Sequence, residues 1–174
     1  KQSDSPDQYQ ISWGEETWLQ KTPKTVTVTA VNDSVDDDQQ TSTITVSVSS
    51  SSDSKYGSGI ASQSVTATTK DDDTAGFALS KNTATVTEGG DSDNFTVVLN
   101  SEPTKDVLLK VTANDSTEVS VTSSSTLTFT SSNWNTAQTV IIAAADENLD
   151  DDNITSTVTA AVSSTNDAKY DNVT

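Results

Sequence analysis

The sequence predicts an all-β fold built from antiparallel β-sandwiches. Val and Ile alternate with Thr and Ser in segment after segment, as in residues 41–48, and a period of two is the signature of a strand with one face towards a core. β-Branched residues of this kind favour strands. Turn signals separate the short segments, and no stretch keeps the 3.6-residue period of a helix. Many short strands at such spacing are typical of a sandwich.

The composition argues against several classes of function. The 174 residues carry a formal net charge of −17 and contain no Cys, His or Arg. Such a chain has no basic patch to neutralise phosphates, so we expect no nucleic-acid partner and no direct binding to an anionic membrane. Without imidazole bases, thiol nucleophiles or the usual transition-metal ligands, we expect no enzymatic activity.

Low hydropathy with high net charge is also the signature of a disordered chain. The period-2 pattern favours a folded chain whose order depends on neutralising its charge. A Cys-free extracellular chain would be stabilised by repetition and ions, without disulfides. We find no signal peptide or apolar span, and we expect the sequence to be part of a longer secreted or cell-surface polypeptide.

The chain repeats itself with an offset of 114 residues. Residues 26–56 align with residues 140–170 without a gap, and 15 of the 31 pairs are identical, including three consecutive aspartates and a Lys-Tyr pair. The first copy has no counterpart of residues 78–122, and the second has no counterpart of residues 62–73. Neither copy is complete within the sequence.

The segments that each copy lacks predict the domain organisation. We expect residues 1–73 to form the C-terminal part of a first β-sandwich repeat, and residues 74–174 to form a second repeat that lacks its last strand. Two explanations remain open. The sequence is an arbitrary piece of a tandem array, or the modules are completed by strand exchange between chains.

Acidic residues concentrate where the two predicted modules join. Asp71, Asp72 and Asp73 follow the predicted last strand of the first module. Calcium takes roughly six to eight oxygen ligands, and a nearby acidic turn could supply the rest, whereas magnesium prefers fewer protein ligands and stricter geometry. We therefore prefer calcium at this joint. The alternative for each acidic run is a solvated surface.

Three motifs of the chain resemble the Calx-beta family, whose members are immunoglobulin-like sandwiches found in sodium–calcium exchangers, an integrin subunit and large bacterial surface proteins. The motifs are the Glu-Gly turn TVTEGG, the acidic turn DENLD (NDSVD in the first copy) and the junction DDDTAGF. The resemblance implies tandem immunoglobulin-like, Calx-beta-like sandwiches with calcium sites at one end of each module.

The resemblance also nominates ligands for each site. In the first module they are Asp33, Asp36, Asp71, Asp72 and Asp73, and in the second they are Glu88, Asp146, Glu147 and Asp150. The chain departs from the family pattern in three ways. Asn32 replaces the first acid of its turn, the first module has no partner Glu, and the second has no terminal triplet. Each departure lowers the expected strength of the site concerned.

The function that these features favour is structural. We expect a calcium-stiffened extender repeat of an adhesin or extracellular filament that mediates cell adhesion or surface assembly. Its partners would be neighbouring repeats of the same chain or identical chains. The alternative is a calcium-sensing regulatory domain, as in sodium–calcium exchangers.

Four local predictions can be checked directly. We expect a strand at residues 25–31, Val65 and Ala67 facing a core, Asp115 in a turn-forming role, and Trp18 and Trp134 as packing anchors at the rim of each sandwich.

Overall fold

The structure, a computed structural model, describes residues 10–12, 23–57, 59–150 and 152–173. Its regular elements are nine strands, all paired antiparallel, and one short 3-10 turn at Ser54–Tyr56. The strands are β1 (Gln40–Val46), β2 (Gln63–Thr69), β3 (Phe77–Leu79), β4 (Asp93–Leu99), β5 (Val107–Ala113), β6 (Val119–Val121), β7 (Thr126–Phe129), β8 (Gln138–Ala144) and β9 (Val158–Thr165). Within the described ranges, no helix is long and apolar enough to span a membrane.

The chain divides into two compact units, residues 1–31 and residues 32–174. In the first unit, the described residues form no strand, so the predicted strand at residues 25–31 is wrong. The reason lies in the repeat. The matching segment, β8, is held between β4 and β6, and the sequence contains no counterpart of either strand for the first copy. A strand needs a ladder partner, and Val31 is left 83% exposed. Trp18 lies outside the described residues.

The second unit begins with a hairpin of β1 and β2. The register runs from Gln40 opposite Thr69 to Val46 opposite Gln63. Most side chains of both strands are exposed, and Val65 is 64% exposed. The prediction that Val65 faces a core is therefore wrong for this chain. The alternation is present, but no second sheet formed by the described residues covers the hairpin. The boundary at residues 73 and 74 stays a prediction.

The remaining strands form two sheets around a single core. One sheet has the order β3-β4-β8-β6 and the other has the order β7-β5-β9. Apolar side chains from both sheets meet between them. These core residues are Phe95, Val97, Leu99, Val107, Leu109, Val111, Leu127, Phe129, Val140, Ile142 and Tyr170. The arrangement confirms the predicted all-β class with antiparallel sheets, layered as in a β-sandwich.

Alternate residues of the central strands supply this core. In β4, Phe95, Val97 and Leu99 are buried, while the residues between them are only partly so. Burying each such side chain stabilises the fold by about 1.5–3 kcal/mol. Trp134 packs against the core as predicted. Asp115 also behaves as predicted, because its carboxylate accepts hydrogen bonds from the backbone N–H and the hydroxyl of Thr117.

Candidate metal centre

The hairpin brings the two acidic runs of the first copy to the same end of the β1–β2 pair. The acidic turn, residues 32–38, precedes β1, and the aspartate triplet, residues 71–73, follows β2. Because β1 and β2 are antiparallel with Gln40 opposite Thr69, the start of one strand lies beside the end of the other. Strand pairing therefore places the turn against the triplet.

Asp71 ties the triplet to the acidic turn. One carboxylate oxygen, Oδ2, accepts the backbone N–H groups of Asp37 at 2.8 Å and Asp38 at 2.9 Å. The other oxygen accepts the N–H of Asp73 at 3.0 Å. Asp38 has a positive φ of 62°, in the left-handed region that Asp adopts more readily than most residues. The N–H of Asp73, then those of Asp37 and Asp38, hold the pKa of Asp71 below its usual range.

Asp36 links the turn to the segment that precedes β3 and to a distant lysine. Its Oδ2 accepts the backbone N–H of Ala75 at 2.8 Å, and its Oδ1 accepts a hydrogen bond from Lys169 Nζ at 2.6 Å. Lys169 also donates to Asp38 Oδ1 at 2.6 Å. The Lys169 ammonium, followed by the Ala75 N–H, lowers the pKa of Asp36. The carboxylates of Asp36 and Asp38 in turn raise the pKa of Lys169, which acts as an internal counter-ion.

Asp73 has the opposite electrostatic setting. Partial burial raises its pKa, and the charges of Asp72 and Asp71 raise it further, with smaller contributions from Asp33 and Asp36. An oxygen from each residue of the triplet lies within 4.8 Å of the others. Closely spaced carboxylates that repel one another are an arrangement that a hard cation stabilises.

These side chains surround an open polar cleft. Four carboxylates and two ammonium groups line it, so its local charge is negative. The lining residues are Asp36, Asp38, Gln39, Lys70, Asp71, Asp73, Thr74 and Lys169.

The acidic region is also connected to the sandwich through the backbone. The N–H of Glu102 donates to Ser34 O at 2.6 Å, and the N–H of Asn100 donates to Gly76 O at 2.9 Å. A Cβ at residue 76 would lie 2.7 Å from Asn100 Nδ2, so a larger residue there would require the Asn100 side chain to move. The turn, the triplet and the loop between β4 and β5 thus form one connected joint.

The residues nominated for the first module are all at this joint. The oxygens of Asp71, Asp72 and Asp73 converge, and Asp36 lines the same cleft as Asp71 and Asp73. Asp33 lies close enough for its charge to raise the pKa of Asp73, and its own Oδ1 accepts the N–H of Val35.

The residues nominated for the second module are more dispersed. A Cβ on Gly89, which has a φ of 58°, would lie 3.3 Å from Asp146 Oδ1, so Asp146 lies beside the Glu88-Gly89 turn. Glu88, Asp146, Glu147 and Asp150 are all exposed. Among the described residues, the aspartate triplet is the group of three acids whose oxygens converge. Metal binding by either set stays a prediction.

Sequence reasoning missed Lys169 and Asp38. The two residues are separated by 131 positions, and nothing in the local pattern of either one indicates the ion pair. One signal was present. The Lys-Tyr pair recurs in the aligned copies at residues 55–56 and 169–170, which marks the lysine as part of the repeat.

Comparison of the chain with protein-family models, with curated proteins and with solved structures gave no match. The resemblance to the Calx-beta family thus depends on the motifs in the sequence alone.

Proposed function

We propose that this chain belongs to the tandem, immunoglobulin-like repeats of a long secreted or cell-surface protein, an adhesin or filament, and that calcium stiffens the joint between repeats. One observation carries the proposal. The acidic turn and the aspartate triplet converge between the hairpin and the sandwich, and the pKa of the Asp73 carboxyl is raised by partial burial and then by the neighbouring carboxylates.

The chemistry of the joint suits calcium. The triplet would hold the ion, with Asp33 and Asp36 as the nearest further acids. Bound calcium would supply the positive charge that lowers the repulsion at Asp73. A joint whose charges are neutralised keeps one geometry, whereas a joint of unpaired carboxylates is pushed apart. Stiff joints between repeats would make the array a rod.

The proposal can be tested by calorimetric titration with calcium. Asp72→Asn with Asp73→Asn removes two charges of the triplet and leaves the Asp71 carboxylate to hold the turn. We expect this double variant to bind calcium at least tenfold more weakly than the parent, which corresponds to about 1.4 kcal/mol.

The matched control is Asp53→Asn with Asp106→Asn, which removes the same charge at two exposed positions outside both nominated ligand sets. We expect it to bind calcium as the parent does. Equal losses in the two double variants would mean that calcium only screens the overall charge. No binding by the parent would refute the proposal.

A further inference from the structure

The outer edge of β9 has no ladder partner among the described residues. Its inner edge pairs with β5 from Val107 opposite Thr165 to Ala113 opposite Val158. In the three-stranded sheet β9 is an edge strand. An unpaired edge presents a row of N–H and C=O groups that another strand can bind.

The repeat shows which strand fits this edge. Residues 154–160 are the counterparts of β1, and β1 pairs with β2 over its whole length. The secondary structure of the two copies also differs at the segment that β2 pairs with in the first copy. Residues 40–43 belong to a strand because β2 pairs with them, whereas their counterparts, residues 154–157, are not in a strand. The second copy therefore lacks a β2-type strand in its described part.

One backbone feature of the turn that would receive the end of such a strand is already present. Asp152 has a φ of 66°, matching the 62° of its counterpart Asp38, whose N–H binds the Asp71 carboxylate. A triplet arriving beside β9 would thus meet a backbone shaped like the one that holds Asp71. The capping of the Lys-Tyr turn recurs as well, since Asp53 and Asp167 each accept the N–H of the residue two positions later.

The hairpin holds β2 in a setting that buries little. A lone two-stranded hairpin is marginally stable in water, and Val65 is 64% exposed there. Beside β9 the setting is different, because Val158, Ala160 and Val162 pack against the core of the sandwich. Moving β2 from β1 to β9 keeps the number of ladder bonds and places its apolar face over that core.

From these observations we infer that the outer edge of β9 is an interaction surface for β2 and the aspartate triplet of a second copy of this chain. The register follows from the hairpin, with Val65 of the second copy opposite Val158 and Gln63 opposite Ala160. Donor and acceptor are different surfaces, so copies join head to tail, as an open chain or a closed ring. The inference depends on strand pairing and does not require calcium.

Cross-linking through engineered cysteines tests the register, since the chain has no Cys of its own. Ser64 and Thr159 are exposed, and Ser64 pairs with Thr45, the counterpart of Thr159. Full-length chains carrying Ser64→Cys and Thr159→Cys are mixed and oxidised. We expect several-fold more mixed disulfide dimer than from Ser64→Cys with Ser124→Cys, a control pair at an equally exposed but remote position.

A competing peptide provides a second readout on the same mixture. A peptide of residues 61–76 should reduce the mixed dimer several-fold, and the same peptide with Val65→Asp should not, because a carboxylate would face the core. Mixed dimer at the level of the control pair would overturn the inference. Thr159→Cys dimers in excess of mixed dimers would overturn it too, since they would show that two β9 edges pair with each other.

Discussion

At the scale of single residues, the joint is held by charges placed unequally around one cleft. Lys169 donates to Asp36 and Asp38, which lie 133 and 131 positions away in the sequence. Asp71 is engaged by backbone N–H groups, while Asp73 is left among like charges. The carboxylates of Asp36, Asp38 and Asp71 thus have partners without an added ion, whereas that of Asp73 faces like charges. A cation is therefore needed most on the Asp73 side of the cleft.

Removing the lysine charge tests its role as an internal counter-ion. We expect Lys169→Gln to lower the melting temperature in a calcium chelator, because two carboxylates lose their common partner. We also expect it to bind calcium more tightly, since a competing cation is gone. Lys55→Gln is the matched control, because Lys55 is the exposed counterpart in the first copy. Melting curves and calcium titrations of both variants test this role. Equal melting temperatures and equal calcium affinities for the two variants would contradict it.

The pH dependence of unfolding tests the Asp36 contacts. Its pKa is lowered in the folded chain, so it stabilises the fold above its unfolded pKa of about 3.9, and this contribution is lost as the pH falls through the folded pKa. Asp36→Asn should thus be less stable than the parent at neutral pH, and the two should converge in acid. Relief of the overall charge affects both chains and cancels in the difference. A constant difference across the range would contradict the prediction.

At the scale of elements, strands form where the chain supplies a partner. The alternation at residues 25–31 is as clear as that at β8, yet only β8 is a strand, because it has neighbours on both sides. Periodicity indicates which face of a segment would be buried. It carries no information on whether a partner is present, and that is why the sandwich could be predicted and the exposure of Val65 could not. The same holds for the candidate site. Its acidic residues could be predicted from local motifs, whereas the contact of Lys169 could not.

The two Lys-Tyr turns show the same effect in a form that can be measured. Tyr170 is 1% exposed, and its hydroxyl donates to Ser101 O at 2.7 Å, whereas its counterpart Tyr56 is 45% exposed. We expect Tyr170→Phe to lower the free energy of unfolding by about 1–3 kcal/mol, because it leaves the buried Ser101 groups without a partner.

Tyr56→Phe is the control within the same chain, and we expect it to change stability by less than about 0.5 kcal/mol. Chemical denaturation measures both. Equal costs at the two positions would mean that Tyr56 has a buried environment in solution, which would in turn support completion of the first copy by another chain.

At the scale of the whole molecule, a chain with a net charge of −17 has to hold its acidic turn and its aspartate triplet together against their mutual repulsion. The backbone bonds from Glu102 to Ser34 and from Asn100 to Gly76 connect the sandwich to the acidic joint, but they do not neutralise it. Calcium bound only by the folded joint would stabilise the chain by mass action, by about 2.7 kcal/mol at a hundredfold excess over Kd. The same ion would also restrict the angle between hairpin and sandwich.

Small-angle scattering measures that restriction directly. We expect calcium to narrow the distribution of interatomic distances of the full chain and a chelator to broaden it, because unneutralised carboxylates at the joint repel. Asp72→Asn with Asp73→Asn should give a distribution that calcium no longer changes, while Asp53→Asn with Asp106→Asn should respond as the parent does. The measurement needs dilute samples, since strand exchange between copies would also lengthen the particles, and only that effect grows with concentration.

A parent distribution that is the same with and without calcium at every concentration would remove the stiffening role and leave the joint as a lysine-linked contact between two solvated acidic segments.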